Sequence, residues 1–387
     1  MKKQLQEEFE KIESELQEMS RELFENPELG GEEYKSSQLL IDFLEKHEFI
    51  VEKGVVDRPT AFRAVYDSNK EGKAIGFMSE YDALPGVGHG CGHNLIATMG
   101  VGAGVVLSKV LDKTGGKVIV YGTPAEETNG AKVPMSDAQF FDELDAAMMV
   151  HPEGESSMSG ESLAMDAIQY SYHGKTAHAA AAPEQGINAL DSVIQLFNGI
   201  NALREHLRSD VRIHGVINEG GTAANVVPDY ASAQFYIRAK DRAYLDEVAS
   251  KVQSIAEGAA LMTGAQLSIE NYELSYDDMR TNEPLSEAFR SNLEALGEET
   301  ILPAKKSLGS IDMGNVSQAA PAIHPYIGMN MPGVVAHTTT FANQTMTKSG
   351  MDALRKGGLS LAMTGYDVLT NADLSREIKR AFEETKK

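Results

Sequence analysis

The 387-residue chain has one cysteine, Cys91, so no disulfide can close within it and an oxidising compartment is not implied. Positive charge is also scarce: 35 Lys and Arg stand against 57 Asp and Glu, a formal net charge of −22. That balance excludes the clustered cations a nucleic-acid binder needs to displace phosphate counterions, and it reads as solubility. No apolar run approaches the roughly 18 residues of a membrane span. The opening MKKQLQEEFEKIESELQEMSRELFENPELG carries Glu every few residues and lacks the apolar segment of a secretory signal. Internal repeats, low-complexity tracts and long linkers are missing as well. The expectation is a cytoplasmic protein with neither nucleic acid nor membrane as a partner.

With 42% hydrophobic and 24% charged residues the composition is that of a globular protein. The length suggests two domains, since one core rarely grows beyond roughly 250–300 residues. Leu5, Phe9, Ile12, Leu16, Met19 and Leu23 recur at spacings of three and four, which predicts an amphipathic helix over 4–25 ended by Pro-Glu-Leu-Gly. A second helix is expected at about 33–47, and AIGFMSEYDALPG reads as an apolar strand entering a Pro-Gly turn. LIATMGVGAGVVLSKVL has the composition of a buried helix, while KVIVYGTPAEE and AAMMVHPEG are β-rich runs that stop at proline. Strands alternating with helices predict an α/β fold with a mainly parallel sheet.

From about residue 167 the order changes to strand, helix, two strands joined at Gly-Gly, helix, strand. That βαββαβ pattern predicts an inserted α+β sandwich with an open antiparallel sheet. The expected domains are 1–166 and 279–387 for a catalytic domain with helices on both faces of its sheet, and 167–278 for a lid or dimerisation insert.

Polar clusters sit where apolar strands end, which is where open α/β sheets keep their sites. They are EYDALPGVGHGCGH, TPAEE with Glu126 and Glu127, VHPE with His151, and HTTTF with His337. Thiolate, imidazole and carboxylate together form the ligand set of a zinc-like cation, or of manganese where oxygen dominates. Taken singly, each has a plainer reading: Cys91 as a small buried residue, the paired glutamates as a solvated face, His151 as a core histidine. Their shared placement at strand ends favours the metal. Successive side chains of a strand or its extension face opposite ways, so one of Glu126 and Glu127 is expected to bind metal while the other faces substrate. A metal-acidified water with a neighbouring carboxylate base is the chemistry of amide hydrolysis.

EYDALPGVGHGCGHNLIA, GTPAEE, HGKTAHAAAAPEQGINALD, GGTAANVVPDYASAQFYIRA, GSIDMGNVS and HTTTFA occur in this order over nearly the whole chain. With them the chain resembles the two-metal aminoacylase/carboxypeptidase superfamily of amidohydrolases, of zinc-peptidase type. It is most similar to the branch that contains the p-aminobenzoyl-glutamate hydrolase and the β-alanyl-lysine dipeptidases. The resemblance implies that Cys91, His93, Glu127, His151 and His337 bind two Zn or Mn ions per subunit, with Cys91 bridging, and that Glu126 is the general base. It implies that His178 serves the oxyanion of a neighbouring subunit in a homodimer formed through the insert, and that Asn225 and Arg238 bind substrate. The implied activity is hydrolysis of a dipeptide, N-acyl amino acid or aminobenzoyl-glutamate-like amide bearing a free carboxylate. The alternative is a non-catalytic ligand-binding or regulatory relative, which predicts a broken ligand set or a missing base.

The chain departs from that pattern in places. Glu80-Tyr81-Asp82 stands where many relatives have His-x-Asp, and is read as leaving a tyrosine at a ligand position, so the Cys-x-His pair must supply the ligands. Asp82 is expected to orient a ligating imidazole. His89 is expected to be a supporting donor or a pocket residue, because three ligands from five residues would crowd one ion. Asp312 and His324 are assigned equally to pocket and packing.

Overall fold

The computed structural model describes residues 1–304 and 309–385. Its strands are β1 Ile50–Lys53, β2 Phe62–Asp67, β3 Ala74–Ser79, β4 Lys117–Gly122, β5 Ala146–Met148, β6 His151–Glu153, β7 Ala164–His173, β8 Arg212–Glu219, β9 Tyr230–Ala239, β10 Gln266–Asn271, β11 Ala322–Ile323 and β12 Tyr326–Gly328. Its helices are α1 Lys2–Glu25, α2 Tyr34–Lys46, α3 His93–Ser108, α4 Leu111–Thr114, α5 Lys132–Asp137, α6 Ala189–Leu203, α7 Arg242–Thr263, α8 Glu283–Ala295, α9 Met313–Ala319, α10 Thr339–Thr345, α11 Lys348–Thr370 and α12 Ala372–Thr385. The chain forms two compact units: Met1–Glu161 with Met279–Ser307 and Asp312–Lys387, and Ser162–Asp278 with Leu308–Ile311.

The first unit is built on a six-stranded sheet in the order β1-β2-β4-β3-β5-β11. β3, β4, β5 and β11 run parallel; at one edge β2 is added antiparallel to β4, and β1 antiparallel to β2. Every residue of β3 is buried, the pattern of a strand covered on both faces. Ile75 and Phe77 face Leu107 of α3 and the backbone of α11 at Gly365, while Gly76 on the opposite face meets Leu144. All six residues of the predicted N-terminal stripe are buried, and all sixteen residues of α3 are too. α3 lies close to the sheet because it is rich in small residues. At Gly100 a Cβ would overlap Ser79 Oγ and the backbone carbonyl of Met78.

Two local expectations change. AAMMVHPEG is two strands in two sheets, since β6 pairs with β12 while β5 joins the large sheet. The HTTTFA segment, expected at a strand end, starts α10, because Thr338 accepts a bond from Phe341 N and caps the helix. GSIDMGNVS likewise runs into α9.

The second unit is an antiparallel sheet in the order β10-β7-β9-β8, crossed by α6 and α7, in the chain order βαββαβ. Ala231, Ala233, Phe235, Ile237 and Ala239 alternate on the buried face of β9. Phe235 meets Phe197 of α6 at 4.7 Å between ring centroids and Tyr170 of β7 at 6.1 Å. The opposite face carries Gln234 bonded to Gln169 at 2.8 Å and Asn218 bonded to Gln234 at 3.1 Å. This unit starts at Ser162 where the sequence suggests 167, because Leu163 N already bonds Gly309 O at 2.9 Å and β7 begins at Ala164.

Candidate metal centre

Three chain segments and a strand end in the first unit deliver the candidate ligands. After β3 the chain passes through Glu80, Tyr81 and Asp82, all buried, and then through the glycine loop. Leu84 and Gly88 exchange backbone bonds of 2.9 and 3.0 Å, and Gly88 and Gly92 take φ of 73° and 77°, a region open to glycine at little cost. At Gly92 a Cβ would also collide with Pro152. The loop therefore ends with His93 as the first residue of α3. His337 is brought to it by a 2.8 Å bond from its N to Gly90 O, and takes φ 65° to do so.

Ligand atoms of Cys91, His93 and His151 lie within 4.8 Å of one another, as do those of Cys91, Glu127 and His337, and those of His93, Glu126 and Glu127. Cys91 Sγ is 3.4 Å from His151 Nε2, and His337 Nε2 is 3.2 Å from Glu127 Oε1. Cys91 belongs to two groups and Glu127 to two, so the five residues form one connected cluster. Glu126 and Glu127 do not follow strand alternation. β4 ends at Gly122, and Ala125 takes φ 62° to start a turn, which lets both carboxylates approach His93.

His93 Nδ1 faces Asp82 Oδ1 at 3.0 Å and Asp82 O at 2.9 Å, and Asp82 Oδ2 accepts from Glu127 N at 3.0 Å. His93 Nε2 is buried with no hydrogen-bond partner, while Glu127 Oε1 is buried 3.2 Å from His337 Nε2. A polar atom buried without a partner is costly in a folded protein, and a divalent cation in place of a proton would satisfy His93 Nε2. The residues therefore fit a metal. Burial opposes charge on His93, but Asp82 and Cys91 outweigh it and hold the imidazole above its usual range. Burial pushes the Cys91 thiol up, and the neighbouring His93 imidazole opposes this without offsetting it, so a thiolate there needs further positive charge beside it. Burial, then the negative charges of Glu80, Asp312 and Glu127, hold Glu126 well above the carboxylate range.

Tyr81 does not occupy a ligand position. It is fully buried and its Oη donates to Thr60 O at 2.6 Å, whereas Glu80 turns Oε2 to 3.5 Å from His93 Nε2. His89 donates from Nε2 to Leu23 O at 3.1 Å, tying the glycine loop to the C-terminal turn of α1. It also lines a cavity of about 640 Å³ with Phe24, Leu29, Val87 and Asn343. Burial lowers its pKa to about 4.

Glu80 and Lys132 escaped the sequence reading. Lys132, wholly enclosed, donates to Glu80 Oε1 at 2.6 Å and to Asp312 Oδ1 at 2.7 Å. Its signal was a lone lysine among small apolar residues in NGAKVPM. Asp312 is thus paired, not exposed to a pocket, and His324 lies 5.6 Å from His151 ring to ring. His178, Asn225 and Arg238 lie in the second unit. His178 Nδ1 accepts from Ala180 N and Ala181 N at 3.3 and 3.2 Å, and its backbone pairs with Val226 beside Asn225. Arg238 reaches Ser310 Oγ at 3.2 Å and lies 5.4 Å from the Tyr236 ring centroid.

A cluster of thiol, imidazoles and carboxylates at the strand ends of an α/β sheet defines a metallohydrolase. Residues 167–262 match the model of the peptidase dimerisation domain of M20 peptidases. The chain is 33% identical over 388 residues to the Xaa-Arg dipeptidase of Homo sapiens, covering 94% of this chain and 88% of that protein. It is 36% identical over 263 residues to one component of the p-aminobenzoyl-glutamate hydrolase of Escherichia coli K12, covering 62% of this chain and 54% of that one. In fold it is similar to a dinuclear metal binding peptidase of the M20 family from Bacillus subtilis, with TM-score 0.68, 19% identity and coverage of 92% and 98%. The chain belongs to the M20 family of aminoacylases and carboxypeptidases, metal-dependent enzymes that hydrolyse amide bonds.

Proposed function

We propose that the chain is a dipeptidase-type amidohydrolase that cleaves an amide next to a free carboxylate, in a dipeptide, an N-acyl amino acid or an aminobenzoyl-glutamate-like substrate. The observation that carries this is the convergence of Cys91, His93, Glu127, His151 and His337, with His93 Nε2 buried and partnerless and Glu126 beside them. In this reading Cys91, His93, Glu127, His151 and His337 would hold two divalent ions, Zn or Mn. When bound, the ions supply Lewis acidity and an acidified water. Glu126 takes the proton of the attacking water on its carboxylate and passes it to the leaving nitrogen. Glu126 belongs to the same cluster as His93 and Glu127, where a carboxylate can first gain and then return a proton.

Arg238 is assigned to the substrate carboxylate, for which its planar fork is suited, with Asn225 on the acyl oxygen side. His178 is assigned to the oxyanion of the neighbouring subunit in a homodimer formed through the second unit. The match to a dimerisation domain supports that assembly. So does β8, an edge strand with exposed Val216 and Ile217, since an open edge invites pairing. A cytoplasmic location is proposed with it; no helix among the described residues is long and apolar enough to cross a membrane.

The test is metal analysis of the purified protein and turnover of a dipeptide and acyl-amino-acid panel, before and after chelation. The expected result is two ions per subunit and turnover that chelation abolishes. Activity that survives both chelation and Glu126→Gln would overturn the reading.

A further inference from the structure

One buried cation of the first unit has no task in the proposed chemistry. Lys132 opens α5 and is completely enclosed. Its Nζ holds Glu80 Oε1 at 2.6 Å and Asp312 Oδ1 at 2.7 Å. Two residues earlier, Gly130 packs against Asp312 so closely that a Cβ would overlap the carboxylate. A side chain merely filling this space would serve stability as well if it were apolar, because burying an ion pair costs desolvation that the pair's attraction seldom exceeds by much. What the ion pair adds is a fixed direction for the Glu80 carboxylate.

That direction is specific. With Oε1 held by Lys132, Glu80 Oε2 stands 3.5 Å from His93 Nε2. The separation exceeds the hydrogen-bond range of roughly 2.7–3.2 Å, and Nε2 has no hydrogen-bond partner. The imidazole cannot turn to improve the contact, because Asp82 holds its Nδ1 at 3.0 Å. Oε2 is therefore a negative oxygen held beside the nitrogen that His93 can offer to the candidate centre.

We propose that Lys132 is a positioning residue of the metal centre that acts through Glu80. The lysine locks one carboxylate oxygen so that the other stands as a fixed anion beside a cation carried by His93. Asp312 completes the clamp by holding the lysine from its other side. The inference rests on the metal-centre reading above, and it adds to that centre a charge that no ligand supplies.

The test measures metal affinity on the full chain. Protein stripped by chelation is titrated with Zn(II) and with Mn(II) against a chromophoric chelator, for wild type, Glu80→Gln, Lys132→Met and the double variant, with far-UV circular dichroism as the folding check. Outer partners of metal ligands are worth about 10–100-fold in affinity, so Glu80→Gln is expected to weaken binding about tenfold or more. Lys132→Met is expected to weaken it similarly in the wild-type background, and by less than about twofold once Glu80 is already glutamine, since residues acting as a unit are non-additive. Wild-type affinity in folded Glu80→Gln overturns the inference, as does a Lys132→Met effect equally large in both backgrounds. If Lys132→Met does not fold, Glu80→Gln alone decides, because it keeps the Lys132–Asp312 pair and the shape of the site. Wild-type protein that binds neither ion overturns the metal-centre reading itself, and so separates the two failures.

Discussion

Asp82 accepts from His93 twice, through Oδ1 at 3.0 Å and through its backbone oxygen at 2.9 Å, and thereby fixes which imidazole nitrogen is left for a metal. Its remaining oxygen takes the Glu127 N–H at 3.0 Å, so one carboxylate aligns two candidate ligands. Asp82→Asn keeps the shape but loses the charge and one acceptor. The expected outcome is metal affinity lower by about 10–100-fold, measured by chelator competition on folded protein.

Glu126→Gln removes the proposed base without changing volume, and leaves Cys91, His93, Glu127, His151 and His337 in place. Turnover is expected to fall by about 10²–10⁴-fold, the usual contribution of a positioned acid-base group, while metal content stays that of the wild type. Parallel loss of metal would assign Glu126 to ligation instead.

Two buried histidines should pull stability down on mild acidification, against the opposite pull of Glu126 and Asp312, whose carboxyls are held above their ordinary range. Burial and the neighbouring His151 lower the His324 pKa to about 3 from an ordinary 6.5, and burial lowers that of His89 to about 4. Between those limits the unfolded chain binds protons that the folded chain refuses. Their contribution is complete above the ordinary histidine pKa and is lost as pH falls below it, by about 1.4 kcal/mol per pH unit for each group. Urea midpoints of metal-free protein at pH 7 and pH 5 measure this, and His324→Asn should flatten the dependence. An unchanged slope in that variant would contradict it.

Gly100→Ala tests how closely α3 must approach the sheet. A methyl group there meets the backbone carbonyl of Met78, which cannot swing aside as a side chain could. The better helix propensity of alanine is worth only about 1 kcal/mol, and overpacking costs about 1–3 kcal/mol. The expected net effect is a lower midpoint in urea. Because α3 begins at His93, weaker metal binding should accompany it.

The elements with a strong period were legible in the sequence. The stripe from Leu5 to Leu23 and the βαββαβ order of the second unit are patterns that burial on one face imposes locally, and the structure repeats them. The types of residue at the candidate centre were legible for a similar reason, since His, Cys and Glu at strand ends carry a chemical signature. What only the tertiary structure decided was direction and pairing. That Glu80 and not Tyr81 faces His93, that Ala125 turns the chain so both glutamates face one way, and that His89 is spent on Leu23 all depend on backbone turns that residue identity does not encode. Lys132 is the clearest case. A lysine reads as solvent-exposed unless its partners are known, and Glu80 and Asp312 lie 52 and 180 positions away along the chain, so only folding brings their charges to it.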